Sequence, residues 1–267
     1  MPSIPCPHRR VARMREITRD TTLCMSLAGR PGTFGSRFHN FLYAELGLDY
    51  VYKAFTTTDL PGAITGIRAL GIRGCAVSMP FKEAVIPLLD GLDASAAAIG
   101  SVNTIVNDGR HLRAYNTDYV AIQTLIVQHG LDPASRVVLR GSGGMGKAVA
   151  SAFRDAGFTR GVLVARNEAA GAALAERCGW RWSPEVPEVQ AGDLLVNVTP
   201  IGMAGGAEEH GLAFTPLQVA AASTVVDVVA LPAETPLIRE ARAQGRQVVT
   251  GLEVIALQAL EIGRAHV

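Results

Sequence analysis

Apolar residues recur along this chain in two alternating ways. Short continuous runs at 23–28, 50–55, 74–79, 102–106, 112–115, 137–139, 161–165, 193–198, 224–229 and 247–249 are bounded by Gly, Pro, Asn or Asp, and each predicts a strand. Between most of them the apolar positions follow helical spacing. Helices are expected from a Ser36 cap through residue 46, from Asp59 to 70, in an alanine-rich stretch capped by Asp93, and over 117–128, where Ile122, Leu125 and Ile126 share a face. Further helices are expected at 148–153, 169–178, 236–244 and from Leu252 onward. The turn Asn107-Asp108-Gly109 separates the strands at 102–106 and 112–115. Strand and helix alternating through short connections give an α/β fold with mostly parallel sheets, and no internal repeat is present.

The pattern divides the chain into an N-terminal α/β domain over 20–117, completed by 238–261, and a small doubly wound domain over 118–237. Residues 1–19 read as a disordered arm, or as sequence upstream of a true start such as Met14. The last six residues, 262–267, depart from the helical pattern before them and read as a non-native tail.

Composition narrows the function by exclusion. With 267 residues, 48% hydrophobic and 18% charged, the chain can bury two modest cores, and a formal charge of +1 gives no reason to expect nucleic acid or a membrane surface as partner. Cys6, Cys24, Cys75 and Cys178 show no C-x-x-C spacing, which argues against a disulfide framework or a metal site and for a reducing, cytoplasmic setting. No apolar run reaches membrane-spanning length, and the arginine-rich first residues contain no apolar core of a secretory signal.

The strongest local signal is Arg140-Gly141-Ser142-Gly143-Gly144-Met145-Gly146-Lys147, between the strand at 137–139 and an alanine-rich helix. Gly141 permits the turn, Gly143 lets the backbone approach a pyrophosphate, and Gly146 allows close helix packing, while free N–H groups at the helix start favour an anion. The next apolar run, at 161–165, completes the βαβ unit that a dinucleotide site needs. Lys82 follows Pro80 off the end of a strand, where α/β proteins build their crevices, although a solvated lysine is the competing reading. Asp118 fits the first turn of a helix capped by Asn116 or Thr117. Asn103, between strand-forming residues, is better explained by a ligand or a buried network than by a turn.

Taken in order, these blocks resemble the shikimate dehydrogenase family from Leu23 to Leu260. The resemblance runs through 29–40 ending in His39-Asn40, through Ser78 to Lys82, Ser101 to Thr104, Asn116 to Asp118, Asn197 to Met203, Asp227 through Leu237, and Gly251 with Leu257-Gln258-Ala259. It implies a substrate domain joined to a Rossmann-type NADP-binding domain, and hydride transfer between NADP and a ring hydroxyl or ketone of a small cyclic hydroxy acid. Lys82 and Asp118 then become the catalytic pair, with Thr33, Ser36, Ser78, Asn103 and Gln258 binding substrate. The cofactor is assigned to Gly141, Ser142, Gly143, Gly144, Met145, Gly146, Arg166, Asn167, Thr199 and Gly251.

Cofactor choice is read at the end of the 161–165 strand. Arg166 suits a 2′-phosphate and Asn167 adds a hydrogen bond, whereas Glu168 leaves NAD as a weaker alternative. Departures fall on the substrate side: Gly35 replaces a family serine, Ala230 a tyrosine and Ala76 an asparagine. They match the shikimate dehydrogenase-like subgroup and imply weak use of shikimate. The competing functions are a catalytically idle dinucleotide sensor, which needs none of the Lys82 set, and a folate one-carbon dehydrogenase, which leaves the Asn116 and Gln258 blocks unexplained. A monomer or homodimer is expected.

Overall fold

The computed structural model describes residues 16–267, so Cys6, Met14 and most of the expected N-terminal arm lie outside the described residues. The first domain comprises β1 (Thr22–Leu27), α1 (Phe34–Glu45), β2 (Tyr50–Phe55), α2 (Leu60–Ala69), β3 (Gly74–Val77), α3 (Phe81–Ala84), β4 (Gly91–Leu92), α4 (Ala94–Ala97), β5 (Thr104–Asp108) and β6 (His111–Tyr115). The second runs through α5 (Thr117–Gln128), β7 (Val137–Arg140), α6 (Gly144–Asp155), β8 (Gly161–Val164), α7 (Glu168–Cys178), β9 (Arg181–Ser183) and β10 (Leu194–Asn197). It continues with α8 (Pro216–Ala221), β11 (Thr224–Asp227), α9 (Pro236–Ala243) and β12 (Gln247–Val249), and α10 (Gly251–His266) ends the chain.

The second sheet has the order β12-β11-β10-β7-β8-β9 with every pairing parallel, the doubly wound arrangement that the alternating pattern predicts. Its strands are buried on both faces. Val137 and Leu139 of β7 pack with α5, α6 and α7, while Val138 between them joins the opposite cluster with Val219 of α8 and Leu237 of α9. The order reverses between β7 and β10, so the turns after these two strands face a common crevice.

The first sheet, β2-β1-β3-β5-β6-β4, is mixed, with three of its five pairings parallel. Strands β1, β2 and β3 are parallel, but β5 runs antiparallel to both β3 and β6. The β5–β6 pairing is a hairpin, whose two turn residues Gly109 and Arg110 have φ of 57° and 77°, the twist that a two-residue connection requires. Strand β5 therefore runs two residues further, through Asp108, than the Asn107-Asp108-Gly109 turn implied.

Three expectations are corrected. Helix α1 begins at Phe34 with Thr33 as its N-cap, not at a Ser36 cap. Helix α9 and strand β12 belong to the second domain, because β12 pairs with β11; the return to the first domain begins at Gly251 rather than at residue 238. Helix α10 also continues through His266, so the final residues keep the helical pattern they were expected to leave. Its far end lies against β3, where a Cβ on Gly74 would fall 2.2 Å from the His266 ring. Thr250 and Glu253 start it with a reciprocal capping box.

Candidate active site

Three side chains from three distant stretches meet beside the first sheet. Lys82, on the single turn of α3, places Nζ 2.9 Å from Asp118 Oδ2, and Gln258 of α10 donates from Nε2 to Asp118 Oδ1 at 2.6 Å. The Asp118 side chain is only 7% exposed, so its charge depends on these partners rather than on water. Asn116 caps α5 by accepting from the Tyr119 N–H, which sets Asp118 in the first turn with the helix dipole in its favour. Asn103 closes the group. Its Oδ1 accepts from the Thr117 N–H at 2.8 Å and from the Thr104 hydroxyl at 3.0 Å, while Nδ2 is buried without a partner in the protein. A buried amide donor left unsatisfied marks a place for a ligand oxygen.

The remaining substrate-side residues make no hydrogen bond to Lys82, Asp118, Asn103 or Gln258 among the described residues. Ser78 is exposed just past β3, its N–H bonded to Leu27 and its carbonyl accepting from Phe81. The loop after β1 is tied to the same place by Gly29 N–H to the Met79 carbonyl at 2.9 Å. Thr33 is the exposed N-cap residue of α1 with no capping hydrogen bond from its side chain, and Ser36 is half-buried in the first turn. Gly35 faces Tyr52: a Cβ there would stand 3.7 Å from the ring, an ordinary contact.

The second region is a cleft of about 620 Å³ at the β7–β10 switch point. Gly141, Ser142, Gly143, Arg166, Asn167 and Thr199 line it as the sequence implied. Gly144, Met145, Gly146 and Gly251 lie outside the lining, and Met145, Gly146 and Gly251 are closely packed. A Cβ on Gly146 would fall 2.6 Å from the Gly141 carbonyl, one on Gly251 would fall 2.2 Å from that of Val229, and Met145 packs against the second-domain core. Gly141 has φ +122°. Beside Gly143 and Gly144, by contrast, the space a Cβ would take is open. Open backbone at a helix N-terminus, inside a cleft of this size, fits the pyrophosphate of a dinucleotide.

Asn167 spends its Oδ1 on capping α7 through the Ala170 N–H, leaving only its amide nitrogen for a ligand. Thr199 donates its hydroxyl to Asn197, so its side chain mainly holds the turn after β10. Arg166 stands exposed at the rim. Several lining residues were missed from the sequence: Arg140, whose guanidinium bonds the Ala213 carbonyl, the segment Pro184, Glu185 and Val186, and Glu208. Residues 184–186 follow β9, a strand of three residues too short to show alternation. Asp227, buried at the end of β11, is pushed up to about 6 by burial, against which the Thr235 hydroxyl, the Val229 N–H and the Asn197 amide act.

Residues 33–105 match the family model described as the shikimate dehydrogenase substrate binding domain. A shikimate dehydrogenase-like protein of Haemophilus influenzae is 56% identical over 92% of this chain and 90% of its own length. The shikimate dehydrogenase (NADP(+)) of Moorella thermoacetica is 38% identical over 89% of this chain and 85% of its own. The solved structure of a shikimate 5-dehydrogenase-like protein superposes with a TM-score of 0.91 at 54% identity, covering 94% of this chain and 93% of that one. Among the described residues there is no group of side chains able to hold a metal ion, and no helix long and apolar enough to cross a membrane.

Proposed function

The chain belongs to the shikimate dehydrogenase family, and from that premise we propose that it is an NADP-dependent oxidoreductase acting on a ring hydroxyl or ketone of shikimate or a related cyclic hydroxy acid. The observation that carries this reading is the contact of Lys82 with Asp118 at 2.9 Å, with Gln258 on the second carboxylate oxygen and the unpartnered Asn103 amide beside them.

The nicotinamide of NADP supplies or accepts the hydride. The protein handles the proton. Lys82 Nζ gives a proton to the alkoxide as a ketone is reduced and receives it as an alcohol is oxidised. Asp118 balances the ammonium and aims it, and Gln258 keeps Asp118 from rotating away. Asn103 Nδ2 donates to a substrate oxygen, so the ring is fixed relative to Lys82. Gly143 and its neighbours hold the pyrophosphate, and Arg166 meets the 2′-phosphate with a charge-assisted contact. Gly35 and Ala230 offer no hydroxyl for the substrate carboxylate, which supports weak binding of shikimate itself. NAD serves as a weaker alternative.

The test is NADPH formation by the purified protein across shikimate, quinate and related cyclic hydroxy acids. Turnover on one of them supports the proposal; binding of NADP with no turnover on any would favour the sensor reading instead.

A further inference from the structure

Helix α3 is one turn long, and its two charged side chains leave it in different directions. Lys82 turns to Asp118 of α5. Glu83, about 100° further round the helix, meets Lys147 of α6, with 2.7 Å between Oε1 and Nζ. Lys147 is the fourth residue after the N-cap Gly143, and helix side chains lean toward the start of their helix, so its ammonium lies on the glycine-loop side of α6. Little else fixes α3. None of its residues is buried, Phe81 packs only partly against the first-domain core, and the Lys82 carbonyl accepts from the Val102 N–H at 2.9 Å. The Glu83–Lys147 pair thus joins the turn that carries Lys82 to the helix whose N-terminus faces the dinucleotide cleft.

Glu83 is 61% and Lys147 30% exposed on their side chains, so the pair adds little to stability. Its value lies in geometry. We propose that Glu83 and Lys147 are positioning residues whose ion pair couples filling of the cleft to the placement of Lys82 for proton transfer; this rests on the dehydrogenase reading above. A pyrophosphate seated at the start of α6 fixes that helix end, and the pair passes the constraint to α3. No bond is made or broken in this step. The pair only narrows the range of positions that Lys82 samples relative to the substrate ring.

The experiment uses the full chain in four forms: unmodified, Glu83→Gln, Lys147→Met and the double variant, with Lys147→Arg as the charge-keeping control. On the best alcohol substrate, Glu83→Gln should lower kcat about ten-fold, a typical loss for a misplaced catalytic group, with KM for NADP within about two-fold. The double variant should lose no more than the worse single one, since either change breaks the same contact, and Lys147→Arg should keep most of kcat. A second readout needs no turnover: hydrogen exchange over residues 79–88, which NADP should slow in the unmodified protein and in Lys147→Arg but not in Glu83→Gln or Lys147→Met. Wild-type kcat in Glu83→Gln, multiplied losses in the double variant, or NADP slowing exchange equally in all forms or in none would overturn the proposal. If only Lys147→Met is affected, through weaker NADP binding, the lysine serves the phosphate alone and the coupling is also refuted. Absence of turnover on every alcohol would count against the dehydrogenase reading, while the exchange data still decide the coupling.

Discussion

Gln258 donates to Asp118 across 2.6 Å although 140 positions separate the two residues in the chain. Asp118 is therefore held from one side by α10 and from the other by Lys82, and removing the lysine leaves the carboxylate with a partner. Lys82→Ala should lower kcat by about 10²- to 10⁴-fold, the usual worth of a positioned acid/base, with NADP affinity nearly unchanged. Steady-state kinetics beside an NADP titration check this, and wild-type turnover in the variant would remove Lys82 from the proposed role.

At the cofactor rim, Arg166→Ala should weaken NADP by about 1 to 2 kcal/mol and leave NAD about unchanged. The lower part of the range for a charged contact applies because Arg166 is exposed and screened by solvent. Equal losses in titrations with the two cofactors would mean that Arg166 does not read the 2′-phosphate.

The glycine loop separates a binding role from a packing role. Gly143→Ala has open space for its methyl and should keep its Tm while binding NADP more weakly, because the methyl occupies the approach of the pyrophosphate. Gly146→Ala drives its methyl against the Gly141 carbonyl and should cost about 1 to 3 kcal/mol of stability. Thermal melts with and without NADP distinguish the two, and a reversed order would refute the assignment.

On the substrate side, Gly35→Ser together with Ala230→Tyr should lower KM for shikimate by about ten-fold or more while changing kcat less. The serine is accommodated, since its Cβ makes only ordinary contact with Tyr52. A double variant with no gain would show that Thr33 and Ser36 already satisfy the carboxylate.

Burial lowers His39 from its ordinary 6.5 to about 4, and its ring stacks on Tyr52 with centroids 4.5 Å apart. The unfolded chain then takes up the proton first, so His39 contributes stability above about pH 6.5 that is lost as the pH falls toward 4. His266, buried nearby and held at about 3 with Arg73 close by, acts in the same direction. Asp227, raised to about 6, acts in the opposite one and gains stability as the pH falls below that value. His39→Phe should remove about 2 kcal/mol of the stability difference between pH 7.5 and 5, measured by denaturant unfolding. An unchanged pH dependence would show that the histidine is not held neutral.

What the sequence revealed follows from how local each signal was. Helix α5, the glycine loop and the strands of the second sheet other than β9 were legible because continuous apolar runs, caps and glycines act within a few residues. The gathering of Lys82, Asp118, Asn103 and Gln258 came from family resemblance, since no spacing brings residue 258 to residue 118. The Asn107-Asp108-Gly109 turn announced the β5–β6 hairpin, but periodicity gave no warning that β5 also runs antiparallel to β3, because that pairing depends on the path of the chain over 78–103. The cleft wall at 184–186 stayed hidden behind a strand of three residues. The Glu83–Lys147 contact joins two short charged positions 64 residues apart and leaves no pattern in the chain.

The polypeptide passes between the two sheets twice, once into α5 and once into α10, and these two helices pack on one another. Two parallel connections behave as a pair of hinge pins. A single linker would let one domain swivel freely about it, whereas two restrict relative motion to rotation about the line that joins them. The double connection therefore holds the bearing of Lys82 on the dinucleotide cleft more narrowly than one linker could.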